Sequence, residues 1–591
     1  MCGFAGEIAP EGRRPDMGAL ERAGAVLSPR GPDGSGRWAE GRIGLSHRRL
    51  SIIDLSEGGA QPMVRDDLAI VFNGCIYNHH ELRAELRELG QPMSTTSDTE
   101  VILAAYRQWG PRDFLDHLVG MFAFAIVERA SGRVLLGRDR LGIKPLYLAE
   151  VGGALRFAST LPALLAGGGI DTALDPVALQ RYMSFHSVVP APRTLLAGVR
   201  RLPPASTLTI EPDGSRHEHR WWGPPYERRP EHEGWSFEDW SEAVLDRLRI
   251  GVRRRMVADV PVGVLLSGGL DSSMIVAILA EQGQKDLATY SIGFPDANGR
   301  EGNEFFYSDL MAERFGTRHH QIALEEHEVV EALRGAIGAM SEPMVSHDVV
   351  AFYLLSREVA KDIKVVQSGQ GADEVFAGYS WYPPLRDASG LGDDVYASEF
   401  IDTAHGQRDE ELTAPWHLDE DVAMAFVREH FSRPHADTPL DRALRLDTEV
   451  MLVDDPVKRV DNMTMAWGLE ARVPFLDHEL VELAAACPPE HKLALGGKGV
   501  LKQAARGLVP DEVIDREKGY FPVPLISQMS GPAHELVTEV LTSDAARARG
   551  LFERGPVERM LAAPNAVRTT LDANRLWQLA LLELWLQEHG I

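Results

Sequence analysis

With 591 residues, the chain is too long for a single ordinary hydrophobic core, and two domains are expected. Its 61 basic and 87 acidic residues give a net charge of -26, which would repel a phosphate backbone and argues against nucleic acid as a partner. The 3 cysteines are too few for a disulfide framework or a zinc site, and the longest apolar stretch, residues 118–127, is shorter than the roughly 20 residues that cross a bilayer. A reducing cytoplasm is therefore expected, without export or membrane insertion.

Cys2 is the first candidate catalytic residue. Removal of the initiator Met1 would place the Cys2 thiol beside a free α-amine. Such an amine has a reference pKa of about 8, which suits it to accept the thiol proton directly or through a water. A cysteine at position two can also arise by chance, so this interpretation depends on other motifs.

Residues 1–210 are predicted to form a β-rich first domain. Short apolar runs at 68–72, 121–127 and 134–137 predict strands, and helical patterns lie at 81–89 and 99–108. Two layers of sheet with helices packed on them would account for this pattern. Residues 211–240 are rich in Arg, His, Pro, Glu and Trp and are predicted to connect this domain to a second one over 241–591.

The second domain begins with the pattern of a parallel α/β unit. An apolar run at 260–266 is followed by a glycine loop, SGGLDSS at 267–273, and then by apolar residues at helical spacing. Later strands at 290–294 and 364–367 are expected in the same sheet. The last third is mostly helical and ends in an apolar stretch, 576–586, predicted to be packed core.

The glycine loop is predicted to bind phosphate. Glycines let backbone N–H groups approach an anion, and the following helix presents its positive end. No Gly-Lys-Ser/Thr follows, so the loop is not of the Walker type, and pyrophosphate is the better guess. Asp271 would hold Mg²⁺ there. The competing interpretation is a tight strand-to-helix turn capped by Asp and Ser.

A second glycine cluster, SGQGADE at 368–374, again follows a short apolar strand. Ligands bind at the carboxyl ends of strands in open α/β sheets, so Asp373 could supply a second carboxylate for magnesium. Lys518 is a candidate cation for departing pyrophosphate. By itself, such a residue is more often a solvated surface lysine.

Taken in order, a series of motifs resembles the glutamine-hydrolysing asparagine synthetase family over nearly the whole chain. Its glutaminase half is matched by CG at 2–3, RGPDGSG at 30–36, HRRLSIID at 47–54, NGCIYN at 73–78, SDTE at 97–100, GMFAF at 120–124 and GRDRLG at 137–142. Its ATP-dependent half is matched by the two glycine loops and by EARVPFLD at 470–477.

For the first domain, the resemblance implies an α+β N-terminal-nucleophile hydrolase sandwich of αββα type. Cys2 would attack glutamine's amide to give a thioester and ammonia, with the Asn73 side chain and the Gly74 N–H as oxyanion hole. Arg49 would pair with glutamine's α-carboxylate and Asp98 with its α-ammonium. The remaining glutamine-binding residues implied are Leu50, Ser51, Ile52, Ile53 and Cys75.

For the second domain, the resemblance implies an α/β ATP-pyrophosphatase of the adenine nucleotide α-hydrolase type. An acceptor carboxylate would attack the α-phosphate of ATP, and ammonia would then displace AMP from the acyl adenylate. Asp271 and Asp373 would hold Mg²⁺, with Gln370 and Lys518 as catalytic candidates. The residues implied at the nucleotide are Leu265, Ser267, Gly268, Gly269, Asp271, Ser272, Ile292, Ser368 and Gly369.

Two positions depart from the family pattern. Cys75 stands where asparagine synthetases carry the Glu of an Asn-Gly-Glu turn, so Asp98 would have to do more in binding ammonium. Gln370 stands where members that amidate aspartate carry Glu. Because Gln cannot take a proton, either another group or ammonia itself manages that proton, or the acceptor differs from aspartate.

A subgroup that amidates the C-terminal carboxylate of N-acetylglutaminylglutamine is the nearest resemblance, through YMSFHSVVPAPRT at 182–194, LPALL at 161–165 and the Asn-Gly-Cys turn. Alternatives are an asparagine synthetase acting on aspartate, a ring-closing relative such as a β-lactam synthetase, and a nucleotide-binding protein without turnover. The terminal cysteine argues against the ring-closing relative. Expected partners are small molecules (glutamine, ATP and a carboxylate), and the oligomeric state is open, with a homodimer as one option.

Overall fold

The computed structural model describes residues 2–294, 305–516 and 524–591. Lys518, predicted to meet pyrophosphate, lies outside the described residues. None of the helices in these ranges combines the length and apolar character needed to traverse a lipid bilayer.

The first domain is built from short strands and five α-helices in its described part. The strands are β1 Cys2–Ile8, β2 Gly34–Glu40, β3 Ile43–Arg49, β4 Met63–Arg65, β5 Leu68–Ile76, β6 Gly120–Glu128, β7 Val134–Arg138, β8 Tyr147–Val151, β9 Ala154–Ala158, β10 Val199–Arg201, β11 Ser206–Ile210 and β12 Arg216–Arg220. The helices are α1 Met17–Val26, α2 His79–Glu88, α3 Asp98–His117, α4 Leu161–Ala166 and α5 Pro176–Ser184.

These strands form two antiparallel sheets stacked face to face. Among the described residues, one sheet has the order β10-β8-β9-β1-β3-β2 and the other β12-β11-β7-β6-β5-β4. Side chains alternate along β5: Ala69 and Val71 join the core between the sheets, whereas Ile70 and Phe72 pack with α2 and α3. On the far side, Ala5 of β1 packs with Leu20 of α1. The predicted αββα sandwich is confirmed.

Secondary structure extends into the predicted connection from both sides. β12 pairs with β11 over five residues, from Ser206 opposite Arg220 to Ile210 opposite Arg216, because its backbone completes the ladder of the second sheet. Helix α6, Phe237–Arg254, begins at the other end behind a Ser236–Asp239 capping box. The second sheet of the first domain thus continues to Arg220. The division into 1–210, 211–240 and 241–591 stays a prediction.

The second domain contains a parallel sheet, as predicted. Its described strands are β13 Val262–Leu265, β14 Ala288–Gly293, β15 Arg318–Ala323, β16 Val365–Gln367 and β17 Glu470–Arg472, in the order β15-β14-β13-β16-β17. Beyond α6, the helices are α7 Leu270–Glu281, α8 Phe305–Phe315, α9 Glu326–Ala339, α10 Val349–Val359, α11 Ala372–Phe376, α12 Asp393–Phe400, α13 His405–Glu411, α14 Val422–Ser432, α15 Pro439–Leu446, α16 Lys458–Met465, α17 His478–Ala486, α18 Pro489–Leu493, α19 Gly499–Ala505, α20 Asp511–Ile514, α21 Pro524–Ser527, α22 Gly531–Thr542, α23 Asp544–Arg549, α24 Arg554–Ala562 and α25 Arg575–Glu588.

The two domains share buried contacts. Asp461 of α16 pairs with Arg30 at 2.8 Å and with Lys144 at 3.1 Å, and these three side chains are almost completely buried. Tyr182 of α5 donates a hydrogen bond to the Gln578 carbonyl on α25 at 2.8 Å, and α25 is buried from Arg575 to Leu586, as predicted for packed core. Side chains of one domain can therefore reach the site of the other.

Candidate active sites

Cys2 lies at the start of β1, between β9 and β3, with Arg49 opposite it in the β3 register. Its side chain is 7% exposed. The Cys2 nitrogen donates to Asn73 Oδ1 at 3.1 Å, so the chain start of one sheet is held against β5 of the other. The nitrogen so held is the one that removal of Met1 would convert to an α-amine.

The surroundings of the Cys2 thiol act on its pKa in opposite directions. Burial raises the pKa of the Cys2 thiol, whereas the Leu50 N–H and the positive charge of Arg49 lower it. Asn73 Nδ2, close by, is a buried donor without a hydrogen-bond partner among the described residues. An unpaired buried donor beside a nucleophile is suited to a negative charge that forms during reaction.

One pocket brings together most of the residues predicted to bind glutamine. Those that line it are Cys2, Arg49, Leu50, Ile52, Ile53, Gly74, Cys75 and Asp98. Ser51 and Asn73 are not among them: the Ser51 N–H donates to Asp33 Oδ2 at 2.7 Å, and Asn73 meets Cys2 through the hydrogen bond described above. Gly74 is required by its surroundings because a Cβ there would lie 2.1 Å from the Met121 carbonyl oxygen.

The two predicted charge partners of glutamine are both held in place. Arg49 Nη1 donates to the Ser56 carbonyl at 2.8 Å, which fixes the guanidinium at the pocket. Asp98 Oδ2 accepts the Ile76 N–H at 3.1 Å. Burial raises the pKa of the Asp98 carboxyl to about 6, although this hydrogen bond favours its ionised form.

Two residues of the second domain also line this pocket, Glu470 and Arg472 of β17. Arg472 Nε donates to Glu470 Oε1 at 2.5 Å, and Arg472 Nη2 lies 3.6 Å from Cys75 Sγ. Both residues belong to the EARVPFLD motif, which was assigned to the ATP-dependent half, and their contact with the Cys2 pocket was not predicted. No signal in the sequence indicates it, because Cys75 and Arg472 are 397 positions apart.

A second, larger cavity of about 550 Å³ opens at the carboxyl ends of β13 and β16. Its size is that of a typical small-molecule site. The predicted residues that line it are Leu265, Ser267, Gly269, Asp271, Ser272, Ile292, Ser368, Gly369, Gln370 and Asp373. Gly268 is not among them: its φ is +74°, and a Cβ there would lie 2.7 Å from the Ser308 backbone nitrogen. Glycine is therefore required at position 268 for the conformation of the loop.

Lys498 joins the two predicted metal-binding carboxylates in this cavity. Its Nζ lies 2.8 Å from Asp271 Oδ2 and 2.9 Å from Asp373 Oδ1. Burial alone would lower the pKa of Lys498, but the two carboxylates raise it. The residue has φ +54°, a left-handed conformation that costs a non-glycine residue free energy and is typical of functional sites. Lys498 was not predicted from the sequence, although it follows Gly496 and Gly497, a turn signal like those of the two glycine loops.

The positions and the oxygen ligands of Asp271 and Asp373 are compatible with the binding of Mg²⁺. Both carboxylates converge on one ammonium group, so they would converge equally on a cation in its place. Among the described residues no cluster of three or more His, Cys, Asp or Glu could hold a metal. Two carboxylates are nevertheless sufficient where substrate phosphates and waters supply the other oxygens that Mg²⁺ requires.

Comparisons with known proteins cover both domains. The family described as Asparagine synthase matches residues 243–587, and the Glutamine amidotransferase domain matches residues 1–222. Asparagine synthetase [glutamine-hydrolyzing] 3 of Bacillus subtilis is 31% identical over 95% of this chain and 93% of its own length. Asparagine synthetase B [glutamine-hydrolyzing] of Escherichia coli is 30% identical over 84% and 77%, and Amidase chyE of Penicillium rubens is 27% identical over 94% and 93%.

Proposed function

This chain belongs to the glutamine-hydrolysing asparagine synthetase family, and from that membership we propose that it joins two reactions, glutamine hydrolysis at Cys2 and ATP-dependent amidation of a carboxylate at the larger cavity. It is an amidotransferase of the asparagine synthetase type, a glutamine-hydrolysing carbon–nitrogen ligase. The observation that carries the proposal is that most of the residues predicted for each half gather in one cavity, around Cys2 for the first and around Lys498 for the second.

At the first site, the Cys2 sulfur attacks the amide carbon of glutamine. The Cys2 nitrogen, free after loss of Met1 and held by Asn73 Oδ1, takes the thiol proton and returns it to the leaving ammonia as the carbon–nitrogen bond breaks. Asn73 Nδ2 and the Gly74 N–H stabilise the oxyanion. Water then hydrolyses the thioester, which releases glutamate and restores the thiol.

The raised pKa of Asp98 predicts a pH dependence of glutamine binding. Only the ionised carboxylate attracts an ammonium group, so the glutamine KM should increase as the pH falls through about 6. Asp98→Asn should raise the KM about tenfold near neutral pH and should remove the increase in KM at acidic pH. Glutamate formation measured from about pH 5 to about pH 8 in both proteins checks this. A parent KM that is constant over the range would contradict the assigned role of Asp98.

At the second site, an acceptor carboxylate oxygen bonds to the α-phosphorus of ATP as the bond to the β-phosphate breaks and pyrophosphate leaves. Ammonia then attacks the acyl carbon, loses a proton, and displaces AMP. Leu265 and Ile292 supply apolar surface for the base, and the Ser267 and Ser368 loops lie where the phosphates would be.

The charged groups of this cavity would hold the triphosphate. Asp271 and Asp373 would bind Mg²⁺, which when present neutralises phosphate charge. Lys498, already between these carboxylates, can move its ammonium onto the departing pyrophosphate and stabilise its developing charge. Gln370 borders the same cavity and can donate or accept a hydrogen bond but cannot carry a proton.

For the acceptor, we propose the C-terminal carboxylate of N-acetylglutaminylglutamine. The segment 182–194 that carries this resemblance lies near the cavity wall: Ser187 Oγ accepts the Val345 N–H at 3.2 Å, and Asp348, three residues further on, lines the cavity. Gln370, in place of a carboxylate, also favours an acceptor other than aspartate.

Aspartate is the second candidate, because the relatives at 30% and 31% identity are named asparagine synthetases. Offering each acceptor with ATP and glutamine, and measuring AMP and amidated product, separates the two. We expect kcat/KM for amidation to be at least about tenfold higher with the acetylated dipeptide than with aspartate. The reverse order would replace the dipeptide by aspartate and leave the reaction class intact.

A further inference from the structure

The pocket around Cys2 contains two pairs of opposite charges. Arg49 and Asp98 come from the first domain, and Arg472 and Glu470 come from β17 of the second domain. Glutamine brings one ammonium and one carboxylate. Arg49 and Asp98 of the first domain were expected to bind these two groups. That expectation assigns no role to Arg472 and Glu470 of the second domain.

The two carboxylates of the pocket differ as anions. Burial raises the pKa of Asp98 to about 6, so this group is partly protonated in mildly acidic solution. Burial alone would also raise the pKa of Glu470, but the positive charges of the N-terminal ammonium, of Arg472 and of Lys144, in that order, lower it to about 2. Glu470 is therefore the more acidic of the two carboxyl groups, and it stays ionised at the mildly acidic pH at which Asp98 takes up a proton.

Glu470 is fixed firmly enough to recognise a ligand. Arg472 Nε holds Glu470 Oε1 at 2.5 Å, and Arg472 Nη1 is itself anchored on the carbonyls of Arg255 at 2.8 Å and Val257 at 2.7 Å. β17 pairs in register with β16, with Glu470 opposite Val365. A side chain held by a neighbour that is itself anchored on backbone carbonyls keeps its direction without a ligand.

Cys75 lies beside the same charges and adds no negative charge of its own. Burial raises the pKa of the Cys75 thiol to about 12, even though Arg472 Nη2 is 3.6 Å from its sulfur. Cys75 is therefore neutral, and the carboxylates that line the pocket and attract an ammonium group are those of Asp98 and Glu470.

We propose that Glu470 binds the α-ammonium of glutamine together with Asp98, and that Arg472 is the positioning residue that aims it. This inference rests on the proposed glutaminase activity and deepens it. One consequence is that the second domain supplies part of the glutamine specificity of the first. A chain whose β17 is displaced would therefore select glutamine poorly, even with Cys2 intact.

The test compares glutamine with 4-carbamoylbutanoate, which is glutamine without its α-amino group. The preference is the ratio of kcat/KM for ammonia release from the two compounds, measured with the full-length protein. Glu470→Gln should lower this preference about 10- to 100-fold, since a hydrogen bond to a charged group is lost only with glutamine. Glu482→Gln is the matched control, because Glu482 accepts from Trp222 Nε1 at 2.8 Å outside this pocket. It should keep the parent preference.

A purely structural role for Glu470 would lower both activities together and leave the preference within about twofold of the parent, which would overturn the proposal. Asp98→Asn gives a second test that leaves Glu470 in place: it should retain a preference for glutamine, and complete loss of preference there would also contradict the proposal. Amidation with ammonium salts reports that the second domain of each variant is folded. A parent that releases no ammonia from glutamine would refute the proposed function itself.

Discussion

Replacement of Cys2 by Ala is expected to lower the rate of glutamine-dependent amidation by at least about 1,000-fold, since it removes the nucleophile. The large cavity lies in the other domain and shares no lining residue with the Cys2 pocket, so amidation supported by ammonium salts should stay near the parent rate. AMP formation measured with glutamine and, separately, with ammonium chloride checks both expectations.

Cys75→Ala is the matched control for this experiment. It removes a second buried thiol from the same pocket, one that is neutral and is assigned no bond-making step. It should retain glutamine-dependent turnover. Loss of ammonium-dependent amidation in Cys2→Ala would instead mean that Cys2 supports the fold or the second site.

Asp271→Asn is expected to lower the rate of amidation with either nitrogen source by at least about 100-fold, while glutamine hydrolysis continues. Asp271 and Asp373 would bind the metal that neutralises phosphate charge, and the amide of Asn is a weaker ligand for a hard cation. Lys498 would also lose one of its two partners. Pyrophosphate release and glutamate formation, followed in the same reaction, separate the two activities.

The conservative variant Asp271→Glu keeps the charge and tests whether geometry matters as well. It should recover part of the activity, most clearly at high magnesium concentration. Full pyrophosphate release in Asp271→Asn at ordinary magnesium concentration would contradict the assigned role of this carboxylate.

Local patterns were sufficient to predict the features that depend on neighbouring residues. The run at 260–266 followed by glycines predicted β13, its loop and α7, and the runs at 68–72 and 121–127 predicted β5 and β6. Cys2 was identified from its position beside Met1, whereas Asn73 and Asp98 were predicted from the resemblance of their short motifs to the family. Two layers of sheet were predicted from short apolar runs with helical patterns between them, and the αββα type from the resemblance to the family.

Features that depend on contacts between distant segments could not be predicted in this way. Lys498 lies 227 positions from Asp271 and Arg472 lies 397 positions from Cys75, so no spacing rule links them. β12 was missed because Arg216–Arg220 is exposed throughout and carries no apolar alternation, and its pairing with β11 alone defines it. The role of β17 in the Cys2 pocket arises only when the two domains meet.

The most direct test of the account follows the amide nitrogen of glutamine. The protein would be given glutamine labelled with ¹⁵N in its amide, ATP and the acetylated dipeptide, without added ammonium, and product nitrogen and nucleotides would be measured together. We expect amidated product that carries ¹⁵N, with one AMP and one pyrophosphate formed for each amide. Product formed with ADP and phosphate instead, or with no nitrogen from glutamine, would contradict it.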